Sequence, residues 1–221
     1  LKNLPAPGLF SFLRHGKSLG NQLKIIQGRL DYALAPKGFS QITKAGLWFK
    51  ETPPDIILTS PLTRCRESAE IVASITGTKT ITEVPEAVEI DTGVFTALHI
   101  KEIPELYPRE WSAFCADSWE GVSSAENILQ LEERALSLWE RIFKLNRNGA
   151  KHILTVTHSG FMQWVLKTSF GHRSWMPLFP SSNAGIYQLK TFPFKPAGSD
   201  AGISRFYAKW KHIDYIEHLS R

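Results

Sequence analysis

The sequence has few cysteines, no long apolar run and no block of like charges, and each shortage excludes something. Cys65 and Cys115 are the two cysteines among 221 residues. They stand in unlike contexts with no Cys-x-x-Cys pair, so neither a disulfide framework nor a thiolate metal cage is written in the chain. A reducing, cytoplasmic setting is the expected one. No apolar stretch approaches the ~20 residues of a membrane span, and no membrane partner is expected. Lysine and arginine number 26 against 21 acidic residues, a net charge of +5. That mild bias suits an anionic substrate. The basic residues are not gathered into runs, which argues against a nucleic-acid or lipid surface. Internal repeats and low-complexity tracts are missing too. The chain begins with Leu1 rather than Met, which leaves a removed leader open.

What is present describes a globular chain. The composition is 43% hydrophobic and 21% charged, which excludes disorder. The length predicts a single domain over residues 1–221 with a sizeable insertion. Such a chain buries roughly 70% of its unfolded surface, enough to fold without a metal or disulfide. Short apolar runs at residues 9–13, 55–58 and 152–157 predict buried strands. A Thr- and Ile-rich stretch at 78–84 predicts another, and 186–192 and 204–210 two late ones. Helical spacing is found at 36–50, after Pro61, and at 160–168. A long helix is predicted from a cap at Ser123 or Ser124 to about Asn146, with Ile128, Leu131, Ala135, Leu138 and Ile142 on one stripe. Residues 92–122 lack clear periodicity and predict an irregular, partly helical insertion. Strands alternating with helices imply an α/β fold, a three-layer α/β/α sandwich around a mostly parallel sheet.

In such folds, ligands sit beyond the carboxyl ends of the strands. Three predicted strand ends carry reactive residues: Arg14-His15-Gly16, Ser60 to Arg64, and Thr157-His158-Ser159-Gly160. Two arginines supply planar forks that match phosphate oxygens. Gly16 and Gly160 permit close backbone approach near helix starts, which favour anions. A neutral histidine can attack phosphorus; a protonated one can stabilise phosphoryl oxygens. Arg and His can carry the charge that a metal carries elsewhere, so no metal and no cofactor is expected. A general acid for the leaving oxygen is still needed, normally Asp or Glu.

These residues resemble the signature of the histidine phosphatase (phosphoglycerate mutase-like) superfamily. Leu13-Arg14-His15-Gly16, followed by Ser18 and Asn21, is similar to its RHG motif. Gly28 with Asp31, then Gly38 with Gln41, follow in the family's order. Ser60-Pro61-Leu62-Thr63-Arg64-Cys65 with Ser68-Ala69 comes next. Val88 to Gly93 looks like the acid-bearing segment, Thr157 to Gly160 like the second histidine motif, and Ser182 to Gly185 like the late Asn segment. The likeness covers about residues 9–190. It implies a metal-independent phosphomonoester hydrolase acting through a phosphohistidine on His15. Arg14, Arg64 and His158 would line the phosphate pocket, with Gly16 beside them and Asn21 at its edge. Glu89 would be the proton donor, with Asp91 as its rival. The substrate would be a small phosphorylated molecule.

The alternatives are mutase-type phosphoryl transfer and an inactive phosphate-binding protein. Lys17, Ser159 and the Ile90-Asp91 pair after Glu89 depart from common family patterns; the last, with a short stretch from Glu89 to His158, favours hydrolysis over mutase chemistry. Aromatic residues Phe95, Tyr107, Trp111, Phe114 and Trp119 of the insertion predict packing, and a lid in which Lys101 and Arg109 meet a second anionic group. Cys65 is expected to pack, and His99, His152, His172, His212 and His218 to be packing or surface residues.

Overall fold

In the computed structural model, which describes residues 6–194 and 205–220, the first apolar run becomes a central strand, β1 (Gly8–Arg14). It is buried because it is paired along both edges. β4 (His152–Thr157) lies parallel on one side, and β5 (Ile186–Phe194) antiparallel on the other. β2 (Ile56–Thr59) pairs with β4, β3 (Ile81–Glu83) with β2, and β6 (Arg205–Tyr215) with β5, giving the order β3-β2-β4-β1-β5-β6.

The sheet is mixed: β1 to β4 run parallel, and β5 and β6 pair antiparallel. The stretch between the last two strands, residues 195–204, is shorter than the dozen or so residues that a parallel crossover requires. The third strand is also shorter than the predicted 78–84. All three of its residues are exposed, because it is an edge strand paired on one side only.

Period-two alternation sends successive strand residues to opposite faces. Phe10, Phe12 and Ile153 meet Leu131, Leu138, Trp139 and Phe161 of α6 (Ile128–Arg147) and α7 (Ser159–Phe170). Leu13, Ile57, Leu154 and Val156 meet Ile42, Phe49, Ala69 and Val72 of α2 (Pro36–Phe49) and α3 (Thr63–Thr76); a five-residue helix, α1 (Leu19–Leu23), comes between β1 and α2. The result is the α/β/α arrangement. Each fully buried side chain of this size contributes about 1.5–3 kcal/mol of transfer free energy.

The long helix begins later than predicted. Its cap is Asn127, whose side chain accepts from the Gln130 N–H while the Gln130 side chain reaches back to the Asn127 N–H. Ser124 sits in the left-handed region at φ 61° and cannot open a helix.

Between β3 and α6 the chain forms two short helices, α4 (Ile103–Leu106) and α5 (Pro108–Asp117), and 3₁₀ turns. Phe95, Ile103 and Val122 bury there against Ile26, Tyr107, Trp111, Phe114 and Trp119, a small core separate from the two sheet-facing ones.

Candidate active site

The carboxyl ends of β1 and β4 open on a cleft of about 440 Å³. His15, just past β1, is fixed by its backbone: its N–H donates to the Thr157 carbonyl (3.0 Å), and its carbonyl accepts from the Ala184 N–H (3.2 Å). Its Nδ1–H donates to the Gly16 carbonyl at 2.7 Å, which leaves the lone pair on Nε2. Burial, followed by the charges of Arg14 and Arg64, holds the imidazole well below its ordinary pKa. The ring is therefore neutral, the form that can attack an electrophile.

Arg64 is 1% exposed. Its Nη1 donates to the Leu30 carbonyl (2.6 Å), Nη2 to the Gly28 carbonyl (2.9 Å) and Nε to His158 Nδ1 (3.2 Å). Arg14 donates from Nη1 to the Ser181 carbonyl at 2.6 Å, and its buried Nε has no partner among the described residues. Neither guanidinium has a carboxylate within ion-pair distance among the described residues. Burying such a charge unpaired costs several kcal/mol, and an anion in the cleft would offset that cost.

Glu89 faces the same space. Its carboxylate accepts from the N–H groups of Ile90 (3.0 Å), Gly160 (3.3 Å) and Phe161 (3.0 Å), the last two at the N-terminus of α7. A Cβ at Gly160 would lie 2.7 Å from both Glu89 Oε1 and Ile90 Cδ1, so these side-chain ends would have to shift to admit it. The preceding backbone is clamped by Arg134, which donates to the carbonyls of Glu86 and Val88 (2.8 Å each) and pairs with Glu126. Asp91 turns away: it accepts from the Gly93 N–H and lies 3.6 Å from Arg29, outside the cleft. Of the two rival carboxylates, Glu89 is the one that lines the same cleft as His15.

Two sequence-predicted residues stand elsewhere than expected. Gly16 does not offer its N–H to the cleft; that group donates to Ser68 Oγ at 3.3 Å. Its lack of a side chain serves packing, because a Cβ would meet the Gly38 carbonyl oxygen of α2 at 2.6 Å. His158 is fully buried one layer behind the cleft wall, its ring 5.1 Å from that of His15. Since Arg64 can only donate, His158 Nδ1 accepts and Nε2–H donates to Ser60 Oγ at 2.8 Å. Burial, then Arg64, holds this ring well below its ordinary pKa too.

Asn21 lines the cleft, its Oδ1 accepting from Ser18 and from Asn183 Nδ2 (3.1 Å). Phe114 and Trp119 of the insertion also line it. Lys101, in the turn before α4, and Arg109, on α5, are exposed and do not line it, unlike the expectation that they meet a second anion there.

Sequence reasoning missed Ser60 as the partner of His158, the Gly28 and Leu30 carbonyls that hold Arg64, and the Trp175–Phe179 wall. The first had a signal, its place in the Ser60–Cys65 motif. Carbonyls and loop aromatics carry none.

A buried neutral histidine, two arginines without counter-charges among the described residues and one carboxylate at a helix start thus converge on this cleft. A sequence profile of the histidine phosphatase superfamily (branch 1) matches residues 10–197, and the chain belongs to that superfamily. It is 34% identical over 196 residues to a 2-carboxy-D-arabinitol-1-phosphatase of Triticum aestivum, covering 86% of this chain and 38% of that protein. It is 29% identical over 156 residues to a metal-independent phosphoserine phosphatase of Arabidopsis thaliana, covering 69% and 65%. The chain thus spans less than two thirds of either relative. Among solved structures, phosphoserine phosphatase from Entamoeba histolytica in complex with 3-phosphoglyceric acid superposes with a TM-score of 0.73 at 23% identity, covering 96% of this chain and 99% of that one.

Proposed function

We propose that the chain is a metal-independent phosphomonoester hydrolase that works through a phosphohistidine on His15. The observation that carries this reading is the neutral His15, with Nε2 free, in one cleft with two guanidiniums, Arg64 buried and Arg14 half-buried, that lack carboxylate partners among the described residues. The phosphoryl group of a small ester would lie against Arg14, whose unpartnered Nε–H is a ready donor, and Arg64. Nε2 attacks phosphorus, the P–O bond to the leaving group breaks, and Glu89 gives its proton to the departing oxygen. Water then attacks the phosphohistidine, Glu89 takes its proton, and the N–P bond breaks to release phosphate. Asn21 borders the phosphoryl site. His158 acts as a positioning residue that holds Arg64 against His15.

Residues 1–221 act as one domain in this reading, with 92–122 as a lid over the leaving group. A cytoplasmic setting accords with the free thiols of Cys65 and Cys115. No helix among the described residues is long and apolar enough to cross a membrane.

The test is phosphate release from phenyl phosphate in EDTA, with acid-quenched and alkali-quenched samples mapped for phosphorylated peptides. An acid-labile, alkali-stable phosphoryl group on His15 is expected. Turnover without it, or turnover that EDTA abolishes, would overturn the mechanism. An isomerised phosphate ester in place of free phosphate would make the chain a mutase, and neither turnover nor adduct a phosphate-binding protein.

A further inference from the structure

Away from the phosphate end, the cleft changes character. Ile26, Phe114, Trp119, Trp175, Leu178 and Phe179 line it, with the uncharged polar residues Gln27, Thr92, Ser118, Ser159, Gln163 and Ser181 among them. Arg14 and Arg64 are the only cations lining the cleft among the described residues. The N–H groups at the start of α7 that would suit a second anion already serve Glu89. A carboxylate or second phosphate on the leaving group would lose water against aromatic rings without meeting a further cation among the described residues.

The wall is held in place before any ligand arrives. Gln163 donates from Nε2 to the Phe179 carbonyl (2.8 Å) and accepts from the Phe179 N–H (2.9 Å). Lys167, buried beneath, donates to the Ser174 carbonyl (2.8 Å) and the Trp175 carbonyl, so its ammonium is not offered to the cleft. Phe114 and Trp119 pack edge to face at 4.9 Å between ring centres. Fixed aromatic surface of this kind binds apolar groups with little ordering cost. Trp175 Nε1–H is buried without a partner among the described residues. It is neutral and brings no charge to the wall.

We infer that the leaving group is an uncharged, apolar or aryl alcohol, and that the wall formed by Trp119, Trp175, Leu178 and Phe179 selects it over hydroxy acids and bisphosphates. The inference rests on the hydrolase reading above. The experiment compares kcat/KM for phenyl phosphate, glycerol 3-phosphate and 3-phosphoglycerate. Phenyl phosphate should exceed 3-phosphoglycerate by about 10²-fold. Trp119→Ala should cut the preference for phenyl phosphate over glycerol 3-phosphate about tenfold. Leu178→Arg, at a half-exposed position where folding is not at stake, should narrow the gap to 3-phosphoglycerate. Equal or faster turnover of 3-phosphoglycerate by the unaltered protein would overturn the inference.

Calorimetry with benzylphosphonate and 3-phosphonopropionate, neither of which is hydrolysed, tests the wall without turnover. Tighter benzylphosphonate binding supports it, even if hydrolysis fails and the enzyme reading falls. Tighter 3-phosphonopropionate binding sinks it.

Discussion

Both ends of the sheet carry a cavity, histidines and cations, yet only one end is equipped for chemistry. At the amino end of β1, a cavity of about 530 Å³ is bordered by Lys44, Trp48, His152, Lys190, Lys211 and His212. At the carboxyl end the cleft is smaller, about 440 Å³. His218 also borders the amino-end cavity, its ring nitrogens buried without partners among the described residues, so the ends differ less in uncommitted atoms than in their convergence with uncancelled charge. His152 is saturated, with Nε2 on Ser11 Oγ (2.9 Å) and Nδ1 donating to the Thr52 carbonyl (3.0 Å). Lys44 donates to the Leu219 carbonyl, while Lys190 and Lys211 are exposed and hydrated. His15 keeps Nε2 free, and Arg14 and Arg64 are held by carbonyls that leave their charge uncancelled. Cavity size and residue type do not make a site; converging, unsatisfied groups do.

The largest contrast should come from the two histidines. His15→Gln is expected to lower phosphate release by about 10³-fold or more, and His152→Gln, at the other end, to leave kcat of the folded protein within about threefold. Comparable losses in both would erase the distinction between the ends. Next, Glu89→Gln should lower kcat by about 10²-fold or more on alkyl phosphates and far less on nitrophenyl phosphate, whose leaving group needs no proton. Asp91→Asn should leave the ratio between the two substrates unchanged. Leaving-group dependence that follows Asp91 would transfer the acid role.

Gly160→Ala pushes a Cβ against Glu89 Oε1 and Ile90, both at 2.7 Å. It should cost about 1–3 kcal/mol in denaturant unfolding and reduce activity as Glu89 is displaced. A fully active, equally stable variant would show that the contact yields freely.

Acid stability sharpens the comparison further. His15 and His158 titrate well below their ordinary pKa when folded, through burial first and then through nearby guanidiniums. Unfolded, they take up protons near pH 6.5. Their contribution to stability is complete above that pH and declines as pH falls below it, by up to about 1.4 kcal/mol per pH unit for each ring. His218 at the other end, lowered to about 4 by burial, adds to the same trend down to that pH. Unfolding midpoints between pH 7 and 5 should drop less steeply in His15→Gln. The smallest effect is expected from Lys211→Ala, with activity and stability near those of the unaltered protein. A tenfold loss of phosphate release there would make the amino-end cavity part of the reaction.

Much of the site was legible in the chain. Arg14, His15, Arg64 and Glu89 follow strand ends or belong to ordered motifs, and parallel strands deliver their carboxyl ends to one side. Other motif residues were visible without their jobs. Asp31 accepts from the Thr63 N–H and hydroxyl at the start of α3, and Gln41 accepts from the Lys17 N–H, so both hold loops rather than ligands. Gly16 was read as a ligand contact because glycine permits close approach in general; what approaches it is α2.

Sequence alone determined the α/β class, the buried strands and the identity of the reactive side chains, because periodicity and residue chemistry are local properties. Tertiary structure decided that Glu89 and not Asp91 enters the cleft, that His158 stands behind Arg64, and that Trp175, Leu178 and Phe179 join the wall, with no cation beyond Arg14 and Arg64 among the described residues. Those facts depend on contacts between segments distant in the chain, and on which donor each acceptor meets there.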